Sequence, residues 1–155
     1  MTACWQAALP TGIGGLKMAH GTRINSAVTF VQELDRSVSF YLDLLKLELV
    51  DRSPTAALLS SPAGSQLILR SMGSDAPHSL GGVGVQYVVW TADGRDDLSR
   101  CERVLRERSA HRETRSSGEV TVVEGRDPDG IAVLVIYPGP DEAPLHKLPV
   151  RIYGW

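Results

Sequence analysis

Residues 24–50 read INSAVTFVQELDRSVSFYLDLLKLELV, and the stretch changes period halfway along. Ser26, Val28 and Phe30 alternate as one face of a strand does, and from Leu34 the apolar residues Val38, Tyr41, Leu42 and Leu45 recur at helical spacing. A strand therefore runs directly into an amphipathic helix. Ser26, small and chemically quiet, stands first in the strand's inward-facing set, a position that calls for an explanation.

Sixty positions later the pattern returns. SAVTFVQELDRSVSFYLDLL falls on QYVVWTADGRDDLSRCERVL, which pairs Val28 with Val88, Phe30 with Trp90, Val38 with Leu98, Tyr41 with Cys101 and Leu45 with Leu105. Strand-like runs follow each helix: LELV, AALLS and SQLILRS in the first half, EVTVVE and IAVLVIYP in the second. The polar segment AHRETR, residues 110–115, stands where the second half needs an early strand, and its periodicity alone does not resolve it. SPAGS (61–65) and DPDG (127–130) mark turns, Pro presetting one φ and Gly relieving another.

The chain thus divides into an N-terminal arm (1–22), a first βαβββ module (23–79), a second (80–138) and a C-terminal tail (139–155) that starts Pro-rich and ends on Val150, Ile152, Tyr153 and Trp155. A half of about fifty residues covers one side of its sheet with its helix and leaves the other bare. The two halves must then share an interface or a cavity, and the expected fold is α+β.

A chain of 155 residues with formal charge −2 has no electrostatic bias toward nucleic acid or anionic membranes, and neither is expected as a partner. The arginines of SRCERVLRERSAHRETR are interleaved with Glu102, Glu107 and Glu113 at spacings that pair along a helix, the pattern of a solvated face. Its apolar runs, such as 131–137, are strand-sized and well below the roughly 20 residues that span a bilayer. The first seventeen residues lack a basic segment ahead of an apolar one, so a cytoplasmic location is expected, with Cys4 and Cys101 as free thiols.

The paired layout, with LDRSVSFYLDLL in the first copy and DPDG before the last strand of the second, resembles the vicinal oxygen chelate superfamily of glyoxalases, bleomycin resistance proteins and extradiol dioxygenases. The resemblance spans residues 24–137. It implies the glyoxalase/bleomycin-resistance fold, two βαβββ modules forming a curved mixed sheet around a cavity, a homodimer, and, in metal-dependent members, a divalent ion held by His or Glu on the first and last strands of each copy. The matching positions are Ser26, nine residues before the Asp of LDRS; Gln86, or Tyr87 if the strand slips by one; Leu134, four after the Gly of DPDG; and Ile68, four after Gly64. Ser26 sits where a ligand would be. Leu and Ile offer no donor and Ser and Gln are weak ones, so neither a metal nor another cofactor is expected.

The corresponding expectation is a metal-free cavity for a small, largely apolar organic ligand. Ser26 and Gln86 would be its hydrogen-bonding anchors, Phe30 and Trp90 its aromatic walls, Ile68 and Leu134 its dry floor, and Arg70 and Tyr137 its rim. Two alternatives stand beside it. One is a glyoxalase-like or dioxygenase-like enzyme with displaced metal ligands, or a metal-free one using Glu124 as its base. The other is a non-catalytic dimerisation scaffold.

Overall fold

The structure, a computed structural model, describes residues 24–77, 85 and 87–139; the arm, Gln86, His78 and the tail beyond Gly139 lie outside them. Ten elements follow in order: β1 (Ser26–Val31), α1 (Leu34–Leu45), β2 (Glu48–Arg52), β3 (Ala56–Ser60), β4 (Gln66–Ser71), β5 (Tyr87–Thr91), α2 (Arg95–Glu107), β6 (His111–Ser117), β7 (Val120–Arg126) and β8 (Ala132–Tyr137). They form two four-stranded mixed sheets, ordered β1-β4-β3-β2 and β5-β8-β7-β6. The second order is the first repeated, so the two halves share one topology, the α+β architecture of paired βαβββ modules.

The polar segment is strand β6. It pairs antiparallel with β7 at the sheet edge, and its sheet-facing charges neutralise one another: Arg115 lies 3.0 Å from Glu124 and 3.6 Å from Glu113. A strand whose inward face is built of ion pairs has no hydrophobic period to read.

One continuous core joins the halves. Val38, Phe40 and Leu44 from α1 pack with Leu98, Cys101 and Leu105 from α2 and with Leu59, Leu67, Leu69, Val123, Val133 and Val135 from the strands. A smaller cluster, Val120, Val122, Leu134 and Ile136, lies apart from it, with Tyr87 and Val89 packed alongside.

β1 and β5 repeat at an offset of 61 rather than 60, since Ala27 and Val31 of the first half and Trp90 and Ala92 of the second belong to the shared core. A one-residue slip reverses the faces of a strand. Trp90 accordingly packs against the shared core, while Phe30 is 58% exposed on the other face of its sheet. The two aromatics are therefore not equivalent.

Both ends of α1 are contacted by the second half. Its N-cap residue, Glu33, makes no side-chain cap, yet Asp129 accepts the backbone N–H of Gln32 at 3.2 Å and the Ser37 hydroxyl at 3.2 Å, placing a carboxylate at the positive end of the helix. At the other end α1 has no basic residue, and Arg100 of α2 donates to the carbonyls of Asp43 and Leu44, each at 2.9 Å. The DPDG turn is thus a docking element as well as a turn. Asp127 closes the turn by accepting the N–H groups of Asp129 and Ile131, and it also receives the phenolic O–H of Tyr41 at 2.9 Å.

Candidate functional site

β1 and β5 are edge strands of separate sheets, and a cavity of about 880 Å³ lies along both. Consecutive residues of each strand line it, Ser26 to Val31 on one side and Tyr87 to Trp90 on the other, so the strand edges themselves form its walls. Apolar groups predominate: Ile24, Val28, Phe30, Met72 and Val85 border the cavity and are all more than half exposed. Polar lining is sparse and includes Gln32, Tyr41 and Asp129, which bring the docking contacts between the halves to the cavity.

Burial and the Asp127 carboxylate hold the Tyr41 hydroxyl far above the ordinary tyrosine range, so it stays a neutral donor. Burial raises the Asp127 carboxyl above its ordinary value, against the downward pull of hydrogen bonds from Ile131 and Tyr41.

Among the residues singled out from sequence, Ser26, Phe30 and Trp90 line this cavity. Gln86 lies outside the described residues; its neighbour Tyr87 is in the lining. Ile68 lies on β4 opposite Val28, and Leu134 lies on β8 opposite Val89; neither is in the lining, and Leu134 is 2% exposed. Arg70 is on β4 beside Phe30, and Tyr137 lies beneath the Arg95 guanidinium at 5.9 Å; both are also outside the lining. Glu124 is on β7 opposite Leu134, its carboxylate taken by Arg115.

Sequence reasoning did not single out Tyr41, Asp129, Met72 or Val85 for the site. Asp129 had a signal, as the second acid of DPDG. Met72 and Val85 had none, because they flank the crossover between the modules and belong to no periodic element.

The family-type metal positions do not fit an ion. Ser26 and Tyr87 supply hydroxyl and phenol, Ile68 and Leu134 hydrocarbon, and a divalent ion of this kind takes imidazole nitrogen or carboxylate oxygen. Among the described residues no group of three or more His, Cys, Asp or Glu side chains could hold one.

Paired βαβββ modules around a cleft define a class of fold. A family profile described as the Glyoxalase/Bleomycin resistance protein/Dioxygenase superfamily matches residues 23–135, and the chain belongs to that superfamily. Among solved structures, a glyoxylase/bleomycin resistance protein/dioxygenase domain from Frankia sp. EAN1pec is 20% identical, with a TM-score of 0.64 over 74% of this chain and 96% of that one. A glyoxalase/dioxygenase from Nostoc punctiforme is 18% identical, with a TM-score of 0.64 over 86% and 97%. Lactoylglutathione lyase from Agrobacterium tumefaciens is 21% identical, with a TM-score of 0.58 over 75% and 93%. These likenesses establish the fold. A search of curated proteins found no match. No helix among the described residues is long and apolar enough to cross a membrane.

Proposed function

We propose that the protein binds a small, largely apolar organic molecule in the cleft between β1 and β5, without a metal ion, as a cytoplasmic homodimer. The observation that carries this reading is the cleft itself: about 880 Å³, bordered by Val28, Phe30, Met72, Val85 and Trp90, with few polar groups to fix orientation. Ligand sites are built this way, and large exposed apolar surface on a single chain marks a binding surface. The homodimer is supported by β2, an edge strand exposed along its length that carries Leu49 and Val50 at 44% and 59% exposure.

A thermal-shift screen of aromatic and polycyclic compounds tests ligand binding. A guest at 100 times its dissociation constant adds about 2.7 kcal/mol of stability. The same guest should quench Trp90, and comparison with Trp90→Phe separates that signal from Trp5 and Trp155. A flat response across the screen, or quenching unchanged in Trp90→Phe, overturns the reading. Protein purified without tag or chelator should carry no near-stoichiometric divalent metal by plasma mass spectrometry, and equimolar zinc, nickel, manganese or iron would refute the metal-free part.

A further inference from the structure

The hydrogen-bond register of β1 decides which of its backbone groups face the cleft. Gln66 donates to the carbonyl of Asn25 at 2.9 Å and Met72 to that of Val31 at 2.8 Å, at the two ends of the parallel β1–β4 ladder. In a parallel pair alternate residues bond to the same neighbour. Asn25, Ala27, Thr29 and Val31 therefore face β4, and the N–H and C=O groups of Ser26, Val28 and Phe30 point the other way. β5 obeys the same rule. Ala92 donates to Ile136 at 2.9 Å, which turns the backbone groups of Val88 and Trp90 toward β8 and those of Val89 away from it.

The cleft is therefore an apolar slot with backbone donors and acceptors along its edges. A pure hydrocarbon guest would strip water from those groups and return no hydrogen bond, an uncompensated desolvation. A guest with its own amides, spaced as in a strand, meets them in register while its side groups reach Val28, Phe30 and Met72.

We infer that the slot takes an extended, amide-bearing guest, a short peptide or a molecule built like one, laid along the outer edge of β1 as an added strand. This rests on the ligand-binding reading above and names the chemistry of the ligand.

The test is titration of the full-length, nitrogen-15-labelled protein with the capped tetrapeptide acetyl-Val-Ser-Val-Ser-amide, followed by amide NMR, beside titration with the amide-free 1-naphthalenemethanol. The inference expects saturable downfield shifts of the Ser26, Val28 and Phe30 amides, with much smaller changes at Ala27, Thr29 and Val31, already bonded to β4. N-methylating peptide residues 1 and 3, or 2 and 4, removes the donors of one edge at a time, and at least one of the two isomers should bind tenfold or more weakly.

If both isomers bind as well as the parent, or the shifts do not alternate, strand addition is refuted. Binding of 1-naphthalenemethanol without the peptide overturns this inference and leaves the apolar-cavity reading standing; binding of neither overturns both. Protection of the Ser26, Val28 and Phe30 amides that rises with protein concentration before any peptide is added would assign the edge to a second copy, and would also overturn it.

Discussion

Asp129 accepts the backbone N–H of Gln32 at 3.2 Å across 97 residues, so the approach to the first helix of the chain is held by a turn of the second module. The same carboxylate satisfies the hydroxyl of Ser37, a residue with no exposed surface. Replacing Asp129 by Ala removes the acceptor of the Gln32 N–H and strands that hydroxyl, a loss of about 2 kcal/mol in urea unfolding. Asp129→Asn keeps an acceptor oxygen and should recover part of it. Equal losses in the two variants would mean that Asp129 contributes nothing beyond its charge.

Asp127 sets a pH dependence of definite sign. Its carboxyl is raised in the folded state, chiefly by burial, so the folded protein holds the proton more tightly than the unfolded chain does. The contribution is fully present below the ordinary aspartate value of about 3.9 and is lost as pH rises through the raised value. Relative to Asp127→Asn, which does not titrate there, wild type should gain stability as pH falls through that window. Denaturant unfolding at a series of pH values checks this, and a slope of the opposite sign would exclude it.

Cys101 should be chemically silent. It is 1% exposed, and burial, opposed in part by the neighbouring Arg100 charge, pushes its thiol up to about 11. At pH 8 only about one thiol in a thousand is then thiolate, the reactive form. In a Cys4→Ser background, Ellman's reagent should give no rapid reaction in the native protein and one thiol per chain in concentrated guanidinium. Prompt native-state labelling would mean that the α1–α2 interface opens readily.

Neither half should fold alone. Phe40, Leu44, Leu59 and Leu69 share their core with Leu98, Cys101 and Leu105, and exposing such surface costs about 25 cal/mol per Å². A chain ending at Pro77 should be insoluble or lack a cooperative transition by calorimetry. A soluble monomer with a sharp thermal transition would contradict the shared core.

The repeat and both helices were legible because apolar residues on strands and helices announce their period, as Val28 and Leu105 do. β6 was not, since Glu113 and Glu124 both pair with Arg115 on one face of the sheet, and charge pairing leaves no period. Sequence alone does not phase β5 between Gln86 and Tyr87, because YVVW is apolar on both faces; only the pairing of Tyr87 with Ala132 fixes it. DPDG reads as a turn at the local level, and its reach to Tyr41, Gln32 and Ser37 exists only once the chain has folded back on itself.

The contacts of Asp129 and Arg100 at the two ends of α1 have a consequence for how copies of the chain can combine. The contacts recognise groups, and nothing in them records whether the second module belongs to the same polypeptide. Two chains trading second modules would rebuild every one of these bonds twice. The exchanged pair and the single chain then differ only in the path between β4 and β5, and shortening that crossover, with the interface untouched, is the change that would move the protein from one form to the other.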